Sequence, residues 1–341
     1  MKNYSFSFKL IYLSLLFIFI PAFFSSCCCG RNIDETHGRR NRSIEPTVFV
    51  VGYDSSGKGN HVAKYWKNGK TVTLSDGTQN THAYSIFISN RDVHVVGRQE
   101  TSKNKYSGIY WKNGEEITLS DFYEAKSVFV DGNDVYIAGY EHNSEGIYIA
   151  TYFKNEEVVS LNNKKQLANA LSLFVSGGDV YVAGTMDEKA VYWKNGKAFI
   201  LRRGTIAYSI FVSGDDVYVA GNEYVGNSRF EARCWKNGII MPLSKRYSSA
   251  QSVFVAGNDV YVAGDERNNE GKEVAVYWKN GQAVYLSGGI KYAEATSIFV
   301  VDDDVYVAGF GDDGARYWNN GEQVLLNDGR YARTYSIVVV P

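Results

Sequence analysis

Proline and cysteine are scarce in this chain of 341 residues, with four of each. Three of the cysteines stand together at 27–29, so everything downstream has only Cys234. That excludes a disulfide framework, and whatever folds must be held by its core. Neither sign of charge is in excess: 36 Lys and Arg stand against 37 Asp and Glu. Bulk electrostatics therefore give no reason to expect nucleic acid as a partner. Histidine is rare too. His37, His61, His82, His94 and His142 fall at unrelated places and assemble no Ser/His/Asp or Cys/His set. Metal-holding spacings such as CxxC or HExxH are missing. No catalytic residue, metal or cofactor is expected, and no apolar pattern of helical period follows Phe24.

What is present begins with a basic, then apolar, N-terminus. Lys2 and Lys9 precede an uncharged run from Leu10 to Phe24, which reads as a secretory signal over 1–26. The triplet Ser25-Ser26-Cys27 resembles a bacterial lipobox. That resemblance implies cleavage before Cys27 and lipid on its thiol. The alternative is an uncleaved membrane anchor, since Leu10–Cys29 holds about 20 residues, enough to span. Residues 27–46 are polar, with "GRRNR" at their centre, and read as a flexible tether.

From Thr47 onward three phrases recur in fixed order. One is "SIFV"-like, from Ser85–Ile88 to Ser336–Val339. One is "VYVAG"-like, ending at Gly52, Gly97, Gly139, Gly184, Gly221, Gly264 and Gly309. The third is "YWKNG"-like, with its large ring at Trp66, Trp111, Phe153, Trp193, Trp235, Trp278 and Trp318. The glycines lie 37 to 45 residues apart. A period near 42 with four β-rich runs per copy predicts propeller blades. "SGDD", "AGND" and "KNG" supply tight hairpin turns.

The ends set the topology. The first copy, "TVFVVG", begins at a second strand, and the last, "YSIVVVP", stops after a first strand. Pairing the C-terminal strand with the N-terminal blade would close the ring and leave no open edge between blades. The predicted fold is all-β over 47–341: a seven-bladed propeller of four-stranded blades, closed in that way. An open solenoid would need capping repeats, and none is visible. The Trp column is expected to fill the spaces between blades, the "VYVAG" glycines to need unusual backbone angles, and Cys234 to be a buried variant of the Tyr column. "VDDDV" at 301–305 occupies a hairpin turn, which explains its acidity without calcium.

Two of the four connections per blade are uniform, and the other two vary. Variation among copies marks positions that the scaffold does not dictate, so the varied face is the candidate binding surface. Its candidate residues are Tyr84, Tyr123, Tyr208, Tyr247, Tyr292, Tyr331, Arg202 and Arg246. Tyr and Arg together suit a protein or a glycan ligand. Carboxylates such as Glu141, Glu223 and Asp265 could serve a glycosidase if they met across the mouth.

The ordered phrases resemble HAF-type extracellular repeats and related tandem propeller repeats. That resemblance covers 47–340, implies a secreted propeller and carries no catalytic residues. The resulting expectation is a monomeric, non-catalytic lipoprotein of the cell envelope, at the outer membrane, that binds or scaffolds an unknown protein. The alternative is a lectin or glycosidase.

Overall fold

In the computed structural model, the described residues are 45–341 apart from 56–58, 103–104, 121, 156, 164 and 327–330. The expected signal, the expected lipidation site Cys27 and all of the expected tether but Glu45 and Pro46 lie outside them. Alternating apolar residues and Gly/Asn/Asp turns produce 28 strands in seven sheets of four. Blades 2 to 7 span 81–119, 124–160, 168–200, 206–242, 248–285 and 293–325. Blade 1 combines the three strands of 47–73 with the last strand, Arg333–Val340. Val339 pairs with Val48 and Ile337 with Val50, so the C-terminal strand closes the ring.

The first strand of each blade touches the first strands of both neighbours, in an unbroken circle about the axis. Seven apolar clusters each join two adjacent blades. The six Trp side chains of the repeat are at most 1% exposed and sit in these clusters. Cys234, 0% exposed, packs there too, and burial pushes its thiol up to about 12. Both match the sequence reading.

Three repeated devices hold the frame. The Ser of "SIFV" accepts a hydrogen bond from the next blade, as in Val128 N to Ser85 Oγ at 3.2 Å and Leu173 N to Ser127 Oγ at 3.0 Å. Four further blade junctions repeat it. Each such bond contributes about 1 kcal/mol. On the uniform face, the Asn of "KNG" takes φ of 48° to 55° and its Oδ1 accepts from the second strand, as Asn195 does from Val180 N at 2.8 Å. Its amide donates to Asp179, which Lys194 also meets at 2.8 Å. The phrase is thus a clamp between two turns.

The third device corrects an expectation. The "VYVAG" glycines need space rather than positive φ. A Cβ on Gly97 would stand 1.9 Å from the His82 carbonyl oxygen, and one on Gly264 would stand 1.8 Å from that of Ser249. This close approach accompanies a bulge in every first strand, where pairing skips one residue between Ala83 and Ser85 and its counterparts. A bulge adds a residue and re-aims its side chain.

Candidate functional site

The bulge residues form one set around the axis: Tyr84, Lys126, Leu171, Tyr208, Gln251, Thr296 and Tyr335. They lie near the start of each first strand, on the side of the varied connections. The strand that follows them repeats from blade to blade, whereas this column holds five residue types in seven places. Three residues further on, Phe87, Phe129, Phe174, Phe211, Phe254 and Phe299 touch in sequence with ring centroids 4.7 to 5.0 Å apart. Val338 fills the seventh place. An apolar collar therefore underlies a polar, varied mouth.

The mouth has two unlike halves. Across blades 1 to 3 the groups are paired. Glu124, 2% exposed, takes Arg98, Lys126 at 2.5 Å and the Tyr140 hydroxyl at 2.5 Å. Tyr84 donates to it at 3.3 Å and lies beneath the Lys126 ammonium, 3.9 Å from the ring centroid. Burial of Glu124 favours protonation, but Lys126 and Arg98 outweigh it and hold the carboxyl below its usual range. Beside them His61 Nδ1 and His82 Nε2 are 2.7 Å apart, with Tyr53 stacked on both rings. Burial, then Arg98 and His61, push His82 down to about 3, so this pair is neutral at pH 7.

Across blades 5 to 7 the groups are less fully paired. A cleft of about 280 Å³ is lined by Tyr208, Tyr247, Asp265, Glu273 and Glu294, among others. Asp265 is 5% exposed. Burial, then Glu294 and Glu273, raise its carboxyl well above the usual range. Burial also raises Glu294, opposed by Arg333, to about 6. Tyr208 is pushed up to about 12 by burial and by Asp265 and Glu294. A second cleft, of about 540 Å³, lies by Tyr292, Phe310, Asp312 and Arg333. Among the described residues no three His, Cys, Asp or Glu stand as a metal-holding group.

The sequence candidates divide accordingly. Tyr84 and Tyr208 occupy bulges. Tyr123 packs with Tyr106, Tyr140, Tyr148 and His142. Tyr247 lies under Arg267, 4.1 Å from its ring centroid, and Tyr292 donates to Glu294. Tyr331 is 70% exposed, outside these networks. Arg202 is exposed and contributes only its carbonyl, to Trp235 Nε1 at 3.2 Å. Arg246 meets Glu266 at 3.6 Å. The three carboxylates considered for a glycosidase have separate partners. Glu223 is held by Arg203 and Arg233, Glu141 accepts from Thr151, and Asp265 faces Glu294 and Glu273 instead. Lys126, Glu124, Glu294 and Tyr335 were missed. The column between Ala and Ser in "A-x-S-I-F-V" marks Lys126 and Tyr335, and the column before Ala marks Glu124 and Glu294.

No protein-family profile and no curated protein matches the chain, so the resemblance to HAF-type repeats stands on the phrases alone. Solved structures do match. An acylaminoacyl peptidase from Pyrococcus horikoshii shares 12% identity at a TM-score of 0.51, over 84% of this chain and 52% of that one. A chain from a study of two prolyl endopeptidases shares 12% at 0.49, over 87% and 50%. The β-propeller domain of the Trilobed protease from Pyrococcus furiosus shares 14% at 0.44, over 73% and 86%. The chain thus spans about half the length of the first two. At these identities the likeness establishes the propeller fold alone. It nevertheless overturns one expectation. A fold found within an acylaminoacyl peptidase is no mark of a non-catalytic scaffold. The scaffold reading, the lectin or glycosidase alternative, and the exclusion of an enzyme are therefore withdrawn.

Proposed function

We propose that this propeller handles peptides, taking extended segments into its varied mouth in the service of peptide hydrolysis. One observation carries the reading. The scaffold fixes seven re-aimed side chains at the mouth, beside the varied connections, while the strands and uniform turns repeat, so the mouth is where this chain departs from bare architecture. Its chemistry suits a peptide. Tyr hydroxyls and ionic groups meet main-chain and charged groups, while aromatic faces and the Phe collar meet apolar side chains. The peptidase that shares the fold supports peptide as the ligand class, by analogy.

The test is a titration of labelled peptide libraries with the full-length chain, followed by anisotropy. Peptides should bind, and Tyr208→Ala should weaken binding at least about tenfold, the loss of one aromatic anchor. A library without binders, or binding indifferent to both Tyr84→Ala and Tyr208→Ala, would sink the reading.

We also propose that lipid on Cys27 holds the chain at a bacterial envelope, on the strength of Ser25-Ser26-Cys27 after the apolar run. Labelled palmitate should enter the chain, and Cys27→Ala should lose both label and membrane fractionation. Unchanged labelling in that variant would overturn the anchor.

A further inference from the structure

We propose that the cleft between blades 5, 6 and 7 is a binding site for an alkylammonium group of a peptide, with Asp265 as its principal acceptor. The inference rests on the peptide reading above and names the group that the mouth selects. Asp265 lies on the second strand of blade 6, opposite Ser249, where the bulge opens the first strand. Its carboxylate is 95% buried by its 5% exposure, lines the cleft, and meets no hydrogen-bond donor or ion pair among the described residues. A carboxyl buried without a protein donor is costly to ionise, and its carboxylate is favoured where a bound cation supplies the partner.

The surroundings define that partner. Glu273 and Glu294 line the same cleft, so the site attracts positive charge. Glu273 is already bound to Arg267 at 2.8 Å, and Glu294 accepts from the Tyr292 hydroxyl. Asp265 remains free. Ser249 is fixed by Asn222 at 3.0 Å and Gln251 at 2.7 Å, so the floor beside it is rigid. Tyr208, Tyr247 and Phe230 supply aromatic walls. Carboxylates with aromatic faces form the usual surroundings of an ammonium ion, which adds cation–π attraction to its hydrogen bonds. An ammonium is a compact charge with three donors, suited to a cleft of about 280 Å³.

Binding should depend on pH. The charged or titratable groups facing Asp265 are Glu273, Glu294, Tyr208, Tyr247, Arg267 and, beyond Glu294, Arg333. In the empty cleft Glu294 titrates at about 6 and Asp265 well above its usual range. A bound cation favours the ionised forms, so binding releases protons and weakens as pH falls through 6.

The experiment uses four pentapeptides at pH 7.5 with the full-length chain. One has a free N-terminus and no lysine, and one is its acetylated form. The others are acetylated with lysine or with norleucine at one position. n-Butylammonium is titrated separately. A peptide bearing an ammonium group should bind at least about tenfold tighter than its neutral counterpart. Whether the terminal or the lysine arm binds names the source of the charge. Asp265→Asn keeps the side chain's shape and should abolish the preference, with Glu294→Gln reducing it. Equal binding of all four overturns the ammonium site and leaves the peptide reading standing. Binding of n-butylammonium alone, lost in Asp265→Asn, keeps the site and removes the peptide reading. A preference that survives Asp265→Asn, or no binding at all, overturns the proposal.

Discussion

Deletion of Tyr335–Pro341 is expected to leave a chain with no cooperative unfolding transition. The segment supplies most of the strand that completes blade 1, including the pairs Ile337 with Val50 and Val339 with Val48. Ile337 and Val339 are each 2% exposed and belong to the cluster joining blades 1 and 7. Burying each is worth about 1.5–3 kcal/mol, before the lost ladder bonds are counted. The loss also bares the inner edge of Thr47–Ser55 and breaks the circle of first strands. Its sum approaches the whole stability of an ordinary domain, about 5–15 kcal/mol. A circular permutant separates closure from mere shortening. Thr47 pairs with Val340, so the propeller's two ends already lie side by side and a short linker can join them. Opened instead in the uniform turn at Gly214–Asp215, such a chain should melt cooperatively near the parent temperature. Calorimetry of both variants checks this. A truncated chain melting at the parental temperature would refute closure by that strand.

The fold was legible because each blade repeats its strand and turn phrases in one order. The incomplete first copy and the surplus last strand then dictated closure. Other features were hidden for physical reasons. The inter-blade role of Ser85 or Ser127 depends on which face of the strand the hydroxyl leaves, and that changes at the bulge. The need for Gly97 looked conformational in sequence but comes from a carbonyl of another strand. At the mouth, Tyr84 and Tyr208 were chosen for residue type, as were Tyr331 and Arg202, which lie outside its networks. Position was the better guide: Lys126, Gln251 and Tyr335 share the Tyr84 column, although only Tyr335 shares its residue type. The pairing of Glu124 with Arg98 joins two blades across 26 residues of sequence, and no local pattern encodes it.

Glu124→Ala should cost about 3–5 kcal/mol, the usual result of removing one member of a buried charge cluster. Arg98 and Lys126 would be left facing one another at the mouth, and Tyr140 would lose its acceptor. Glu124→Gln should cost less, since an acceptor oxygen remains. Adding Lys126→Met to Glu124→Ala should recover part of the loss by removing one stranded cation, a coupling that a double-mutant cycle reads directly. The acid dependence follows from proton binding. The carboxyl of Glu124 is held below the unfolded value of 4.5. Its contribution is therefore complete above about pH 4.5 and is lost as pH falls through the folded value. Urea unfolding at pH 7 should show the full difference between parent and Glu124→Ala. As the pH drops below that of ordinary carboxylates, the two curves should converge. A difference under about 1 kcal/mol at pH 7, or one that stays constant into acid, would show that the cluster does not hold the mouth together.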